Sequence, residues 1–151
     1  MVQPNRFNIR VYGILLNENQ EVLVMDERRF GMNMTKFPGG GLEFGEGISD
    51  ALKREWKEEL SIDIQLNKLF YVNEFFQASA FRETDQLISI YYLVEPLEKF
   101  NPGLSQTRFD FPETDADAHS LRVISLETLS ESDFTFPVDK EVAEKLKLFL
   151  Q

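Results

Sequence analysis

An α/β sandwich with a mixed sheet is the fold class this sequence predicts, and three observations predict it. Segments rich in Val, Ile and Leu recur along the chain, and two helical stripes interrupt them, one mid-chain and one near the C-terminal end. The length of 151 residues suits one domain with a real core, so a single domain over residues 1–151 is expected.

Phe7 to Leu16 and Glu21 to Asp26 are β-rich and flank the polar turn Asn17-Glu18-Asn19-Gln20, which predicts a hairpin. Glu27 to Thr35 is expected to be an irregular connection, leading to a short strand at Lys36-Phe37 that Pro38 ends. Gly39, Gly40 and Gly41 leave φ free, so the chain can turn sharply and approach a ligand closely. From Ser49, a candidate N-cap, to Leu60 the pattern turns helical. Ile48, Leu52, Trp56 and Leu60 recur every four residues as a buried stripe, with Trp56 in the core. Ile62 to Phe76 and Leu87 to Val94 predict long strands of a curved sheet. Residues 96–120 form a long polar and aromatic loop, a kind that is usually functional or disordered. Leu121 to Ser125 is a further strand, and Val138, Val142, Leu146 and Phe149 share one face of a second helix.

Charge narrows the function. With 16 Lys+Arg against 26 Asp+Glu the net charge is -10, so the field of the protein repels phosphate backbones and nucleic acid is not an expected partner. A protein of this charge that handles polyphosphates needs local neutralisation, which bound divalent cations supply. The absence of Cys excludes disulfides, thiolate metal sites and cysteine nucleophiles. No apolar signal core follows the start MVQPNRFNIRVYG and no long apolar span appears later, so the expectation is a cytoplasmic protein without a membrane partner.

The chemistry concentrates in FPGGGLEFGEGISDALKREWKEELSI, residues 37–62. On a helix, Glu55, Glu58 and Glu59 stand at i, i+3 and i+4, on one arc beside the apolar stripe, so three carboxylates are expected to converge. A merely solvated acidic face costs little, about 0.2 to 0.5 kcal/mol per like-charge pair, and is the blander account. At a partly buried boundary the repulsion rises to roughly several kcal/mol, which a hard cation with oxygen ligands offsets. Mg2+ is the first candidate and Mn2+ a substitute. Arg54 can pair with Asp50 or Glu58, or reach Glu46, and is expected to orient carboxylates rather than bind phosphate.

Gly40, Glu46, Arg54, Glu55, Glu58 and Glu59 fit the spacing G-x5-E-x7-R-E-U-x-E-E-x-G-U, where U is bulky and apolar, and the chain therefore resembles the Nudix (MutT-like) hydrolases. Six fixed residues at this spacing arise by chance in roughly one chain in ten thousand. The resemblance implies an αβα sandwich with a curved mixed sheet and helices on both sides. It also implies metal-binding roles for Glu55, Glu58, Glu59 and the Gly40 carbonyl, with Glu55 the first candidate for general base. Glu46 would help to fix the metal loop, and Asp117 is a loose match to a further acid. Ser61 replaces the usual glycine at the helix exit, where a left-handed residue other than Gly costs about 1 to 2 kcal/mol.

The implied activity is Mg2+-dependent attack by water on a phosphorus of a nucleoside diphosphate linked to another moiety, such as a nucleoside triphosphate or a nucleotide sugar. The partner is then a small nucleotide diphosphate derivative. The proline and tyrosine that mark ADP-ribose and dinucleoside-polyphosphate members past the motif are absent; Gln77, Ala78 and Ser79 stand there. Phe75, Phe76, Phe81, Phe109 and Phe111 are candidates to stack a base, although sheet core is the commoner role for any one of them. His119, the only histidine, is expected in a loop. Two readings compete with the enzyme: a non-catalytic nucleotide-binding regulatory module on the same fold, and an interaction protein with an incidental acidic helix. Regulatory modules commonly lose motif carboxylates, and this chain keeps them all. A homodimer is compatible with the sequence.

Overall fold

The computed structural model describes residues 2–150, with the side chain of Leu150 left out. Its elements run β1 (Arg6–Ile14), β2 (Glu21–Arg29), β3 (Met32–Lys36), β4 (Gly39–Gly41), α1 (Ile48–Leu60), β5 (Ile64–Val72), β6 (Asp85–Pro96), β7 (Ala118–Ser125) and α2 (Pro137–Leu146). The class is mixed α/β, with two sheets and two helices. The chain divides into two compact units, Met1–Ile14 with Gly39–Lys99, and Leu15–Pro38 with Phe100–Gln151.

The first unit holds the expected mixed sheet, in the order β4-β1-β6-β5. β1 runs parallel to β6 and antiparallel to β4, and β5 is antiparallel to β6. The parallel pair begins at Arg6 opposite Asp85, where the guanidinium donates from Nε at 2.9 Å and Nη2 at 2.8 Å to the buried carboxylate. Register shifts interrupt β5 against β6, as expected for a sheet that curves. Helix α1 buries Ala51, Leu52 and Trp56, and the indole lies over Gly13, where an added Cβ would come within 2.7 Å of it. Of the stripe read from the sequence, Leu52 and Trp56 are fully buried, whereas Ile48 and Leu60, at the two ends of the helix, are only half-buried. The helix begins one residue before Ser49: Gly47 is the N-cap and makes no side-chain cap. Its exit is left-handed, as the motif requires: Ser61 has φ 55° and donates its N–H to the Lys57 carbonyl.

The three glycines do not turn. They form β4, an extended edge strand beside β1, and none of the three has a positive φ. What they provide is close approach, because a Cβ at Gly39 would overlap the Val11 carbonyl and lie 2.7 Å from Tyr12 Cα.

The second unit holds an antiparallel sheet in the order β3-β2-β7. Val22 to Met25 are buried without alternation, as befits a central strand. The segment expected to be irregular, Glu27 to Thr35, is instead the β2–β3 hairpin, turned at Phe30 (φ 51°) and Gly31 (φ 73°). Both turn residues are left-handed, the geometry of a two-residue hairpin loop. The hairpin expected across Asn17–Gln20 exists only as a short bridge, Leu16 to Val22, since β1 and β2 pair in different sheets. Asn17 still closes that turn by accepting from the N–H groups of Asn19 and Glu21. β7 starts three residues earlier than expected, so His119 lies on a strand, opposite Glu27. Helix α2 opens with Pro137 and buries Val138, Val142 and Leu146, but Phe149 falls beyond it and is exposed. Phe37 stacks on Phe134, ring centroids 4.5 Å apart, in the core of this unit.

Candidate active site

The site lies in the first unit, where α1 faces β4. Gly40 is buried, and a Cβ built on it would meet the Glu55 carboxylate, 2.5 Å from Oε1. Glycine here lets the acid lie directly against the backbone of the loop.

Arg54 braces the arrangement. Its Nε donates to Glu46 Oε2 at 2.6 Å and Nη2 to Glu46 Oε1 at 2.8 Å, a two-pronged pair. Nη2 also reaches the Gly41 carbonyl at 3.0 Å, and Nη1 reaches Glu55 at 2.9 Å. Asp50 is not among its partners in the described structure. The hydrogen bonds that Arg54 donates to Glu46 come first among the causes that push its guanidinium well above its ordinary pKa. Glu46 is correspondingly held below the usual carboxylate range, first by Arg54 and also by the N–H of Glu43, which it accepts at 3.0 Å. Every donor direction of Arg54 is engaged, by carboxylates and by the Gly41 carbonyl.

The three-carboxylate cluster expected from the helical spacing is not formed by the side chains as they stand. Among the described residues no three acids or imidazoles gather at the spacing of ligands to one ion. Glu58, with 59% of its side chain exposed, is turned to Arg54 at 3.4 Å. Glu55 is mostly enclosed, and one oxygen of Glu59, Oε2, is shielded from solvent. These donors still suit a hard divalent cation: all are oxygens, and the cradle at Gly40 brings a carboxylate against the loop backbone. Glu55, Glu59 and the Gly40 carbonyl are the residues that would hold the ion. Glu58 would join after leaving Arg54.

One residue of this neighbourhood escaped the sequence reading. Arg10, on β1 opposite Gly41, puts Nη1 3.3 Å from the position a Gly41 Cβ would take. Its Nε donates to the Tyr12 hydroxyl at 3.2 Å. Tyr12 first, and Glu55 and Glu59 more weakly, raise the pKa of Arg10 against the opposing effect of burial. The available signal was a lone charge in the otherwise apolar run from Ile9 to Leu16.

The remaining candidates belong to other segments of the chain. Asp117 is exposed, in the second unit just before β7. Phe75, Phe76 and Phe81 are exposed rather than core, because the segment from Asn73 to Thr84 leaves the sheet between β5 and β6. Phe109 and Phe111 pack against each other at 6.3 Å in the second unit, each under an arginine, Arg108 and Arg28 respectively.

A family model described as NUDIX domain matches residues 6–146. Over 79 residues, half of this chain, the sequence is 39% identical to Nudix hydrolase 2 of Arabidopsis thaliana, covering 25% of that protein. Over 62 residues, 41% of this chain, it is 40% identical to an RNA pyrophosphohydrolase of Acinetobacter baylyi, covering 36% of that protein. The chain therefore spans well under half of either relative. Its fold resembles that of the MutT protein from Methanosarcina mazei Go1, with a TM-score of 0.68 at 17% identity, over 100% of this chain and 99% of that one.

Proposed function

The chain belongs to the Nudix hydrolase family, and from that premise we propose that it is a metal-dependent pyrophosphohydrolase acting on a nucleoside diphosphate linked to another moiety. The observation that carries this reading is the Glu55 carboxylate seated against Gly40 and fixed there by Arg54, on a helix that keeps every motif acid. A regulatory module would have no need of so constrained an acid. The family match crosses both compact units, which supports reading residues 1–151 as one domain.

In the proposed reaction, water attacks one phosphorus of the diphosphate, the bond from that phosphorus to the bridging oxygen breaks, and the bridging oxygen leaves with the other phosphoryl group. Glu55 takes the proton of the attacking water, and Arg54 keeps its carboxylate aimed. Bound Mg2+, or Mn2+ in its place, would stabilise charge on the phosphoryl and leaving oxygens. Glu46 holds Arg54 in turn and ties it to the loop through the Glu43 N–H.

A small nucleotide suits the net charge of -10 better than a long polyanion does. One relative is named an RNA pyrophosphohydrolase, so a 5′-triphosphorylated RNA belongs in the test. No helix among the described residues is long and apolar enough to cross a membrane, and we propose a cytoplasmic location.

The test is product release from nucleoside triphosphates, oxidised nucleotides, nucleotide sugars, ADP-ribose, dinucleoside polyphosphates and triphosphorylated RNA, with Mg2+ or Mn2+. Wild type is compared with Glu59→Gln. Hydrolysis of one class by wild type, lost in the variant, is the expected result. Metal binding without turnover of any substrate would favour the regulatory module.

A further inference from the structure

We propose that Arg10 is a specificity residue for the group attached to the diphosphate: on the face of the first unit's sheet opposite α1, its two terminal nitrogens donate to the O6 and N7 acceptors of a guanine-type base. This rests on the pyrophosphohydrolase reading above, which puts the diphosphate with the acids. The glycine strand sorts the two faces. A Cβ on Gly40 would meet Glu55 of α1, and Val11, paired with Gly40, is buried on that same side. Directions alternate along a strand, so the positions flanking Gly40 point the other way. There a Cβ on Gly39 would lie 2.8 Å from Tyr12 Cδ1, and one on Gly41 would lie 3.3 Å from Arg10 Nη1. β4 is the outermost strand of its sheet and carries no side chain. Glu55 and Arg10 therefore lie back to back, against neighbouring residues of one bare backbone edge. A ligand that crosses this edge meets the acids with one end and Arg10 with the other.

Arg10 is fixed at one point and open at two. Its Nε donates to the Tyr12 hydroxyl at 3.2 Å, and among the described residues Nη1 and Nη2 donate to nothing. The guanidinium carbon lies 5.9 Å from the centre of the Tyr12 ring. Tyr12 in turn stacks on the buried Tyr91 at 5.0 Å, with 25° between the planes, and Tyr91 meets Tyr71 at 6.5 Å. Across the strands Arg10 is paired with Gly41 and Ser89, one without a side chain and the other small and buried, so neither covers the fork.

A half-buried guanidinium with undirected N–H groups incurs a desolvation cost, which a ligand with two adjacent acceptors offsets. The O6 and N7 edge of guanine offers such a pair, whereas adenine sets an amino donor at the same place. Phosphate oxygens also fit the fork, but they are common to every nucleotide. A phosphate-binding Arg10 would treat all bases alike, and a base-reading Arg10 separates them.

The test titrates guanosine, inosine and adenosine monophosphates (GMP, IMP and AMP) calorimetrically into wild type, Arg10→Met, Arg10→Lys and Tyr12→Phe, with thermal melts to verify folding. None of the three has an anhydride bond, so binding is read apart from turnover. GMP and IMP share O6 and N7, which AMP lacks as a pair. Wild type is expected to bind GMP and IMP at least about tenfold tighter than AMP. Arg10→Met should bring both down to the affinity of AMP, with AMP itself within about threefold of wild type. Arg10→Lys should keep part of the preference, and Tyr12→Phe should narrow it less than Arg10→Met does. No preference in wild type, or an equal loss for all three nucleotides in Arg10→Met, overturns the assignment. If Arg10→Met does not fold, the preference in wild type, Arg10→Lys and Tyr12→Phe decides by the same criteria. Hydrolysis of diphosphate derivatives without a base preference fails Arg10 alone. A base preference without hydrolysis of any of them fails the pyrophosphohydrolase reading and leaves Arg10 the base-reading residue of a binding module.

Discussion

No side chain fits at position 40 while the Glu55 carboxylate stays in place, since a Cβ on Gly40 would lie 2.5 Å from Glu55 Oε1. The obstacle is the movable end of a side chain. Gly40→Ala should therefore displace the acid rather than unfold the chain. Activity is expected to fall by about 100-fold or more, the scale of a misplaced catalytic group, with little change in Tm. Gly39→Ala makes the control, because there the obstacle is backbone at Val11 and Tyr12. It should lose roughly 1 to 3 kcal/mol or more of stability. Thermal melts and turnover of the two variants, side by side, separate the effects; a Gly40→Ala protein of wild-type activity would remove Glu55 from the proposed chemistry.

The motif was legible because its chemistry depends on fixed spacing within one helix and one loop, where sequence distance and spatial distance agree. The α1 stripe was legible for the same reason, and Trp56 and Leu52 are buried as expected. What failed depends on partners distant in sequence. The β2–β3 hairpin was hidden because its turn puts Phe30, a residue with no turn preference, in a left-handed conformation. Gly39 to Gly41 looked like a turn because glycine permits one, whereas the fold uses them for closeness, of Gly39 to the β1 backbone and of Gly40 to the Glu55 carboxylate. The closeness of Arg10 to Gly41 was invisible because only strand pairing brings the two together, 31 positions apart in the chain.

Asp26 is fully buried and holds the second unit together. It accepts from Arg122 Nε at 2.6 Å and Nη2 at 3.0 Å, from the Thr35 hydroxyl at 2.7 Å and from the N–H of Phe109 at 3.2 Å. The last bond ties down the loop where Phe109 has φ 57°. Arg122→Met leaves a buried carboxylate without its cation and should cost about 3 to 5 kcal/mol in urea unfolding. Trypsin should also cut faster at Arg108, next to the tethered residue. An Arg122→Met protein with unchanged cleavage there would mean that the loop is held by other means.

Arg6 and Asp85 predict the acid limb of stability. The hydrogen bond from Arg6 is the largest cause holding the Asp85 carboxyl below its ordinary value, against the opposing effect of burial. A depressed folded pKa contributes stability above the unfolded value of about 3.9, and the contribution is lost as pH falls through the folded value. Arg6→Met should therefore melt below wild type at neutral pH, and the gap should narrow as pH drops below about 3.9. Calorimetric melts from neutral to strongly acidic pH would reveal this. A gap independent of pH would assign Arg6 a packing role only.

Metal removal tests which acids are ligands, because the side chains divide unequally around Arg54. Glu55 is enclosed against Gly40, whereas Glu58 is largely exposed and turned to Arg54. A ligand that binds only the folded state stabilises it by about 2.7 kcal/mol at 100 times its Kd, roughly 5 °C or more in Tm for a chain of this size. Wild type stripped with a chelator should regain that Tm when Mn2+ is restored. Glu55→Gln and Glu59→Gln should lose most of the shift, since each removes a charge from the enclosed side of the site. Glu58→Gln should lose less, because Glu58 must give up Arg54 before it can reach the ion, and that exchange reduces its net contribution. Equal losses in all three variants would mean that metal draws Glu58 fully into the cluster and that Arg54 then rests on Glu46 and Glu55 alone.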